Sequence, residues 1–199
     1  MKFRFLFTFI FITSISSFAQ KNEDKDHSFK QENIFMGGSI GLGIGNGSFS
    51  VGGNPEIGYS IAKWLDAGLI FNVNYYSFTA ESNGGVRQRS FNYGGGIFTR
   101  LYPVNSFFFT VIPEYNIIST TQKDIALYGT GEELKFKQEA PSLLLGIGYG
   151  SRDIGNGNFY TMIAFDAGNN VNSPYIGYYG SKLPILRAGF NFYLRPKRK

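Results

Sequence analysis

From Ile34 nearly to its end, the chain alternates large apolar residues with small or polar ones. Ile34, Met36, Ile40, Leu42 and Ile44 share one parity, whereas Gly37, Ser39, Gly41 and Gly43 share the other. Leu65, Ala67, Leu69, Phe71, Val73 and Tyr75 are set against Asp66, Gly68, Asn72 and Asn74 in the same way. Segments around 49–61, 91–101, 109–117, 142–150, 159–168 and 186–194 repeat the pattern. A period of two marks strands whose two faces meet different surroundings. Eight such segments and no convincing helix predict an all-β fold, an antiparallel up-and-down barrel.

The connections alternate in length. Those at 62–63, 102–106 and 152–158 are short, and those at 80–88, 120–133 and 169–182 are longer and more polar. The first hairpin, at Gly45-Asn46-Gly47-Ser48, is tight. In an eight-stranded meander the three long connections then emerge at one end. The short turns and both termini lie at the other.

The composition of the two faces decides which one points inward. One face is nearly free of charge over about nine to eleven residues per strand, the length needed to cross a hydrocarbon layer at a tilt. The other carries Gly, Ser and Asn together with Glu56, Asp66, Arg100, Glu114, Asp166 and Arg187. A soluble barrel would turn its apolar face inward. These faces instead predict a transmembrane barrel with a polar lumen, closed so that every backbone group is paired. Tyr59, Trp64, Tyr102, Phe107, Phe159 and Tyr193 fall near the turn end, where an interfacial girdle would lie.

The termini have their own character. Lys2 and Arg4 precede the apolar run Phe5 to Ile12, and Ser17-Phe18-Ala19 supplies small residues, so residues 1–19 read as a secretory signal peptide. The run is too short to span the ~30 Å of a bilayer as a helix. Residues 20–33 read as a flexible polar leader, 34–194 as the barrel and 195–199 as a basic periplasmic tail. The exported chain contains no cysteine, so no disulfide supports it. The net charge of +5 falls to +3 without Lys2 and Arg4. It falls to −1 once Arg195, Lys197, Arg198 and Lys199 are also set aside. That leaves no footprint for nucleic acid.

The chain resembles the small outer-membrane β-barrel proteins of Gram-negative bacteria, the group that includes the OmpA transmembrane domain, OmpX and OmpW-like barrels. The most specific local likeness is the last strand, where Arg187, Gly189, Phe192 and Leu194 match the family's assembly signal. The family usually ends on its final aromatic residue, whereas this chain runs five residues further. The resemblance implies an outer-membrane location, contact with outer-membrane lipid and lipopolysaccharide, and reading of the last strand by the β-barrel assembly machinery.

Little in the sequence points to chemistry. The lone histidine, His27, lies in the leader, so neither a Ser-His-Asp arrangement nor a His-rich metal site can form in the barrel. No cofactor is expected. Gly41 to Gly47 lacks the spacing and the following helix of a phosphate-binding loop. The six inward charges are expected to form a lumen network, with Asp66 pairing to Arg100 and Asp166 to Arg187, and with Glu56 and Glu114 nearby. The reading is a non-enzymatic structural barrel that presents loops 80–88, 120–133 and 169–182 to a possible extracellular partner. The alternative is a narrow channel for small or apolar solutes.

Overall fold

The computed structural model describes residues 29–45, 47–124, 133–168, 170–175, 182 and 184–194. Eight strands follow a 3-10 turn at Gln31–Asn33: β1 (Ile34–Gly45), β2 (Ser48–Ala62), β3 (Leu65–Phe78), β4 (Val86–Val104), β5 (Phe107–Asp124), β6 (Glu133–Gly150), β7 (Gly157–Asp166) and β8 (Ile185–Tyr193). Each pairs antiparallel with its neighbour in sequence, and β1 pairs with β8, which closes the sheet into a barrel. The signal peptide, His27, loop residues 125–132 and the tail at 195–199 lie outside the described residues.

The alternation determines which way each side chain points. Ile40, Phe71, Ile97, Phe109, Ile147 and Phe192 stand exposed on the outside, while all six inward charges are at most 4 % exposed. The registers also set the tilt. Summed around the ring, the offsets between paired strands return to β1 about ten residues higher, a stagger that inclines the strands by roughly 40°.

The bore is less polar than its sequence suggests. Phe35, Ile70, Phe98, Phe108, Ile112 and Leu144 share the inward parity and are fully or nearly fully buried. Inward glycines make space for these rings: a Cβ on Gly148 would fall within the Phe108 ring, and one on Gly189 within that of Tyr160. Tyr102 and Tyr193, expected in the outer girdle, instead join this interior cluster. Trp64, Phe107 and Phe159 do face outward.

The wall is uneven in height. β4, β5 and β6 run for 19, 18 and 18 residues, but β7 and β8 for only 10 and 9. Parts of two expected loops are therefore strand. Val86, Arg87 and Gln88 open β4, Thr120 to Asp124 end β5, and Glu133 begins β6. Continuous backbone pairing across three strands outweighs the polar composition that reads as loop. β1 begins at Ile34, and the residues just before it touch the barrel. Phe29 stacks on Tyr59 at 5.3 Å, and the Asn33 side chain donates to the Ser60 carbonyl at 3.0 Å.

An Ala at Gly148 should lower barrel stability by about 1–3 kcal/mol, the usual cost of overfilling a packed interior. Gly53 meets nothing within 4 Å of an added Cβ, so Gly53→Ala should be neutral. Urea unfolding of the refolded barrel, followed by tryptophan fluorescence, measures both.

Candidate functional site in the barrel lumen

An eight-stranded barrel leaves an interior just wide enough for side chains, so inward charges cannot be hydrated in bulk water and need partners. Here they find them across the bore. At mid-height the Arg100 guanidinium on β4 donates to both carboxylate oxygens of Glu56 on β2, at 2.8 and 2.7 Å. This fork-to-fork geometry is the strongest an arginine can adopt with a carboxylate. The guanidinium carbon lies 4.5 Å from the Phe98 ring centre and 4.4 Å from that of Tyr160. The Tyr160 hydroxyl donates to Glu56 at 3.1 Å. Side-chain exposure of the pair is 1 % and 0 %.

A second pair crosses the bore nearer the long-strand end. Arg187 on β8 donates to Glu114 on β5 at 3.3 Å and to the Tyr175 hydroxyl at 3.2 Å. Tyr175 in turn donates to Glu114 at 2.9 Å. Asn116 also donates to Glu114, and its own side-chain oxygen accepts from Asn72 at 3.0 Å. A third contact seals the turn end. Arg152, from the β6–β7 connection, reaches Asp66 at 2.6 Å, donates to the carbonyls of Ala62 and Lys63, and lies over the Tyr102 ring at 4.1 Å.

Both expected pairings are therefore corrected. Asp66 and Arg100 do face each other in the β3–β4 register, yet each bonds elsewhere. The curvature of a small barrel brings inward side chains together at the axis, so a long arginine reaches past its neighbouring strand. Glu56 offers Arg100 two oxygens in an aromatic cage, and Asp66 is taken by the turn residue Arg152. Asp166 and Arg187 fail to meet because Arg187 is registered against Met162, well below Asp166. Among the described residues, no cation forms an ion pair with Asp166. Its carboxylate accepts from the backbone N–H groups of Leu143 and Gly168 at 3.0 and 2.8 Å, and from Ser173 at 2.5 Å.

Ser173 and Tyr175 also correct the picture of loop 169–182 as a purely exposed surface, since both are buried in the bore. Residues 169 and 176–181 of that loop lie outside the described residues. Sequence reasoning missed Arg152, Tyr160 and Tyr175. The inward parity of Tyr160 was available as a signal, but nothing local marks Arg152 or Tyr175. The proposed assembly signal lies in the closing strand, with Arg187 and Gly189 turned inward and Phe192 and Leu194 outward. The Leu194 N–H donates to the Ile34 carbonyl at 3.0 Å and extends the seam. Beside Arg187 a cavity of about 350 Å³ opens among Asn54, Asn74, Tyr76 and Tyr175.

Replacing Arg100 with Met should destabilise the barrel by about 3–5 kcal/mol, because Glu56 is left buried and unpaired. Adding Glu56→Gln should recover much of that loss, whereas adding Asp66→Asn should not. A double-mutant cycle in urea distinguishes the observed pairing from the neighbouring-strand one.

No protein-family model matches the chain, and no curated protein matches it in sequence. Among solved structures it is similar to CarO of Acinetobacter baumannii, with a TM-score of 0.48 and 10% identity over 83% of this chain and 100% of that one. It is also similar to the N-terminal β-barrel domain of Pseudomonas aeruginosa OprF, with a TM-score of 0.40 and 12% identity over 80% and 96% of the two chains. Neisserial surface protein A gives a TM-score of 0.39 and 13% identity over 81% and 94%. By its strand count, strand order and closure of β1 on β8, the chain is a small eight-stranded antiparallel up-and-down β-barrel protein.

Proposed function

We propose that this protein is an integral barrel of the bacterial outer membrane. Its role is structural and non-enzymatic, anchoring a raised rim of strands and loops at the cell surface. The observation that carries the reading is the inversion of the barrel. Apolar side chains such as Ile40, Phe71, Ile97, Phe109 and Ile147 stand exposed around the ring, while arginines and carboxylates are paired within. In water such a surface is a large exposed apolar patch. In hydrocarbon it is solvated, and the pairing of β1 with β8 closes the ring of strands that lipid surrounds. The crossed ion pairs act as a plug that holds the bore shut.

The outer-membrane address and the assembly route rest on the closing strand. Arg187, Gly189, Phe192 and Leu194 form the segment we assign to recognition by the assembly machinery. A surface partner would meet the rim formed by β4–β6 and the connections above it. The cavity beside Arg187 favours a second reading, a narrow path for small or apolar solutes, in which the Arg187–Glu114 pair is the gate.

Membrane fractionation with gel migration before and after heating tests the first reading. The expected result is a membrane-bound protein whose unheated form runs as a compact band; a soluble periplasmic protein sinks it. Replacing Phe192 and Leu194 with Asp should abolish the compact band in cells. In planar bilayers the wild type should show no stable openings. Reproducible openings that change on Arg187→Gln would instead establish the channel.

A further inference from the structure

The outward charges of the barrel are gathered in one place. Among the described strand residues that face outward, the charged ones are Arg87 and Arg89 on β4, Lys123 on β5, and Glu133, Lys135, Lys137 and Glu139 on β6. Arg87 is registered against Lys123 and Lys123 against Glu133, in one row across the three strands. The next row holds Arg89, Thr121 and Lys135, and the one below it Phe91, Ser119 and Lys137. Strands lie about 4.8 Å apart and alternate residues about 7 Å, so five cations occupy an area of roughly 10 by 14 Å.

Two carboxylates do not neutralise five cations. Glu133 approaches Lys135 at 3.8 Å, a loose pair whose partners are 50 % and 72 % exposed. Glu139 faces the Tyr115 hydroxyl, a row below the cations. No described carboxylate forms an ion pair with Arg89 or Lys137. Like charges crowded on adjacent strands repel, so a patch of this kind is stable when an anion lies against it.

What lies against it follows from its height. Level with the lowest cation and just below it the same face carries Phe91, Tyr93 and Tyr115, and below those the apolar belt. Phe91 and Tyr93 pack together at 5.9 Å. Aromatic residues of this kind mark the boundary between hydrocarbon and headgroups. The patch is on the long-loop end, opposite both ends of the described chain, and so faces the outer leaflet. We infer that the outer face of β4–β6 is a binding site for the phosphorylated headgroup of an outer-leaflet glycolipid. Its acyl chains lie on the apolar belt and its phosphates on Arg87, Arg89, Lys123, Lys135 and Lys137. Arg87 and Arg89 can each grip a phosphate with two parallel hydrogen bonds, while the lysines act as point charges. The raised height of β4–β6 then has a purpose, since it carries the cations to the level of the headgroups.

The inference rests on the membrane reading above. Its test uses the folded full-length protein in detergent micelles, checked by its compact unheated band, with lipid adducts counted by native mass spectrometry. The probes are bisphosphorylated lipid A and its phosphate-free counterpart with the same acyl chains. The variant is Arg89→Gln/Lys135→Gln/Lys137→Gln, whose exposed positions leave the barrel interior untouched. Each cation near an anionic surface is worth about fivefold in affinity, so the triple variant should bind bisphosphorylated lipid A at least tenfold more weakly. The phosphate-free lipid should bind both proteins weakly and equally. Equal retention of lipid A by variant and wild type overturns the site. So does equal binding of the phosphate-free lipid by the wild type. If an acyl-free anion, inositol hexaphosphate, binds the wild type as tightly as lipid A, the patch serves a soluble or protein anion instead. Failure of the protein to insert into lipid vesicles defeats the membrane reading itself. Insertion without headgroup preference defeats only this inference.

Discussion

Closure of eight tilted strands around a very narrow bore is the constraint on which everything else depends. It joins the first strand to the last, and it forces every second side chain of each strand into a space with no room for bulk water. A charge that enters that space must be matched there. Among the described lumen carboxylates, Asp166 is the one without an arginine partner, and it is held by two backbone N–H groups and a serine hydroxyl instead. Arg100, Arg152 and Arg187 each meet a carboxylate from another part of the ring. These contacts tie strands that share no backbone hydrogen bonds, β4 to β2 and β8 to β5, and so brace the barrel across its diameter.

The aromatic collar complements the charges. Phe98 and Tyr160 flank the Arg100 guanidinium, and Phe35 and Phe108 fill the bore around them. Such rings exclude water from the ion pair, which strengthens its Coulomb attraction. They also make the pair hard to open, since a guanidinium leaving Glu56 would have to move past packed rings.

Outside, the same alternation gives a belt of apolar side chains interrupted by charge at a single height. The unequal strand lengths give the barrel a front and a back, with β4–β6 projecting beyond the lower wall of β7 and β8. Above the rim, Leu134 and Phe136 are exposed on the inner side of the projection, and Gln88 bonds Gln122 across it at 2.9 Å. The outward face of that projection holds the cations.

The strands, their faces and the closing role of β8 were legible in the sequence. A strand's two faces alternate by backbone geometry alone, so Ile97 against Arg100 or Phe192 against Arg187 can be assigned without knowing any neighbour. Parity likewise placed all six buried charges. Their partners were not legible. Pairing depends on register and curvature, which bring Glu56 to Arg100 over an intervening strand and set Arg187 against Met162 rather than Asp166. Arg152 and Tyr175 come from connections, whose paths no period describes. The heights of β4 to β6 were hidden for a related reason. Polar residues such as Arg87, Gln88 and Lys123 read locally as loop, and only pairing with long neighbouring strands makes them sheet. The sequence determined what each residue faces, because that is local; the tertiary structure decided what each residue touches, because contact across a barrel is set by the whole ring.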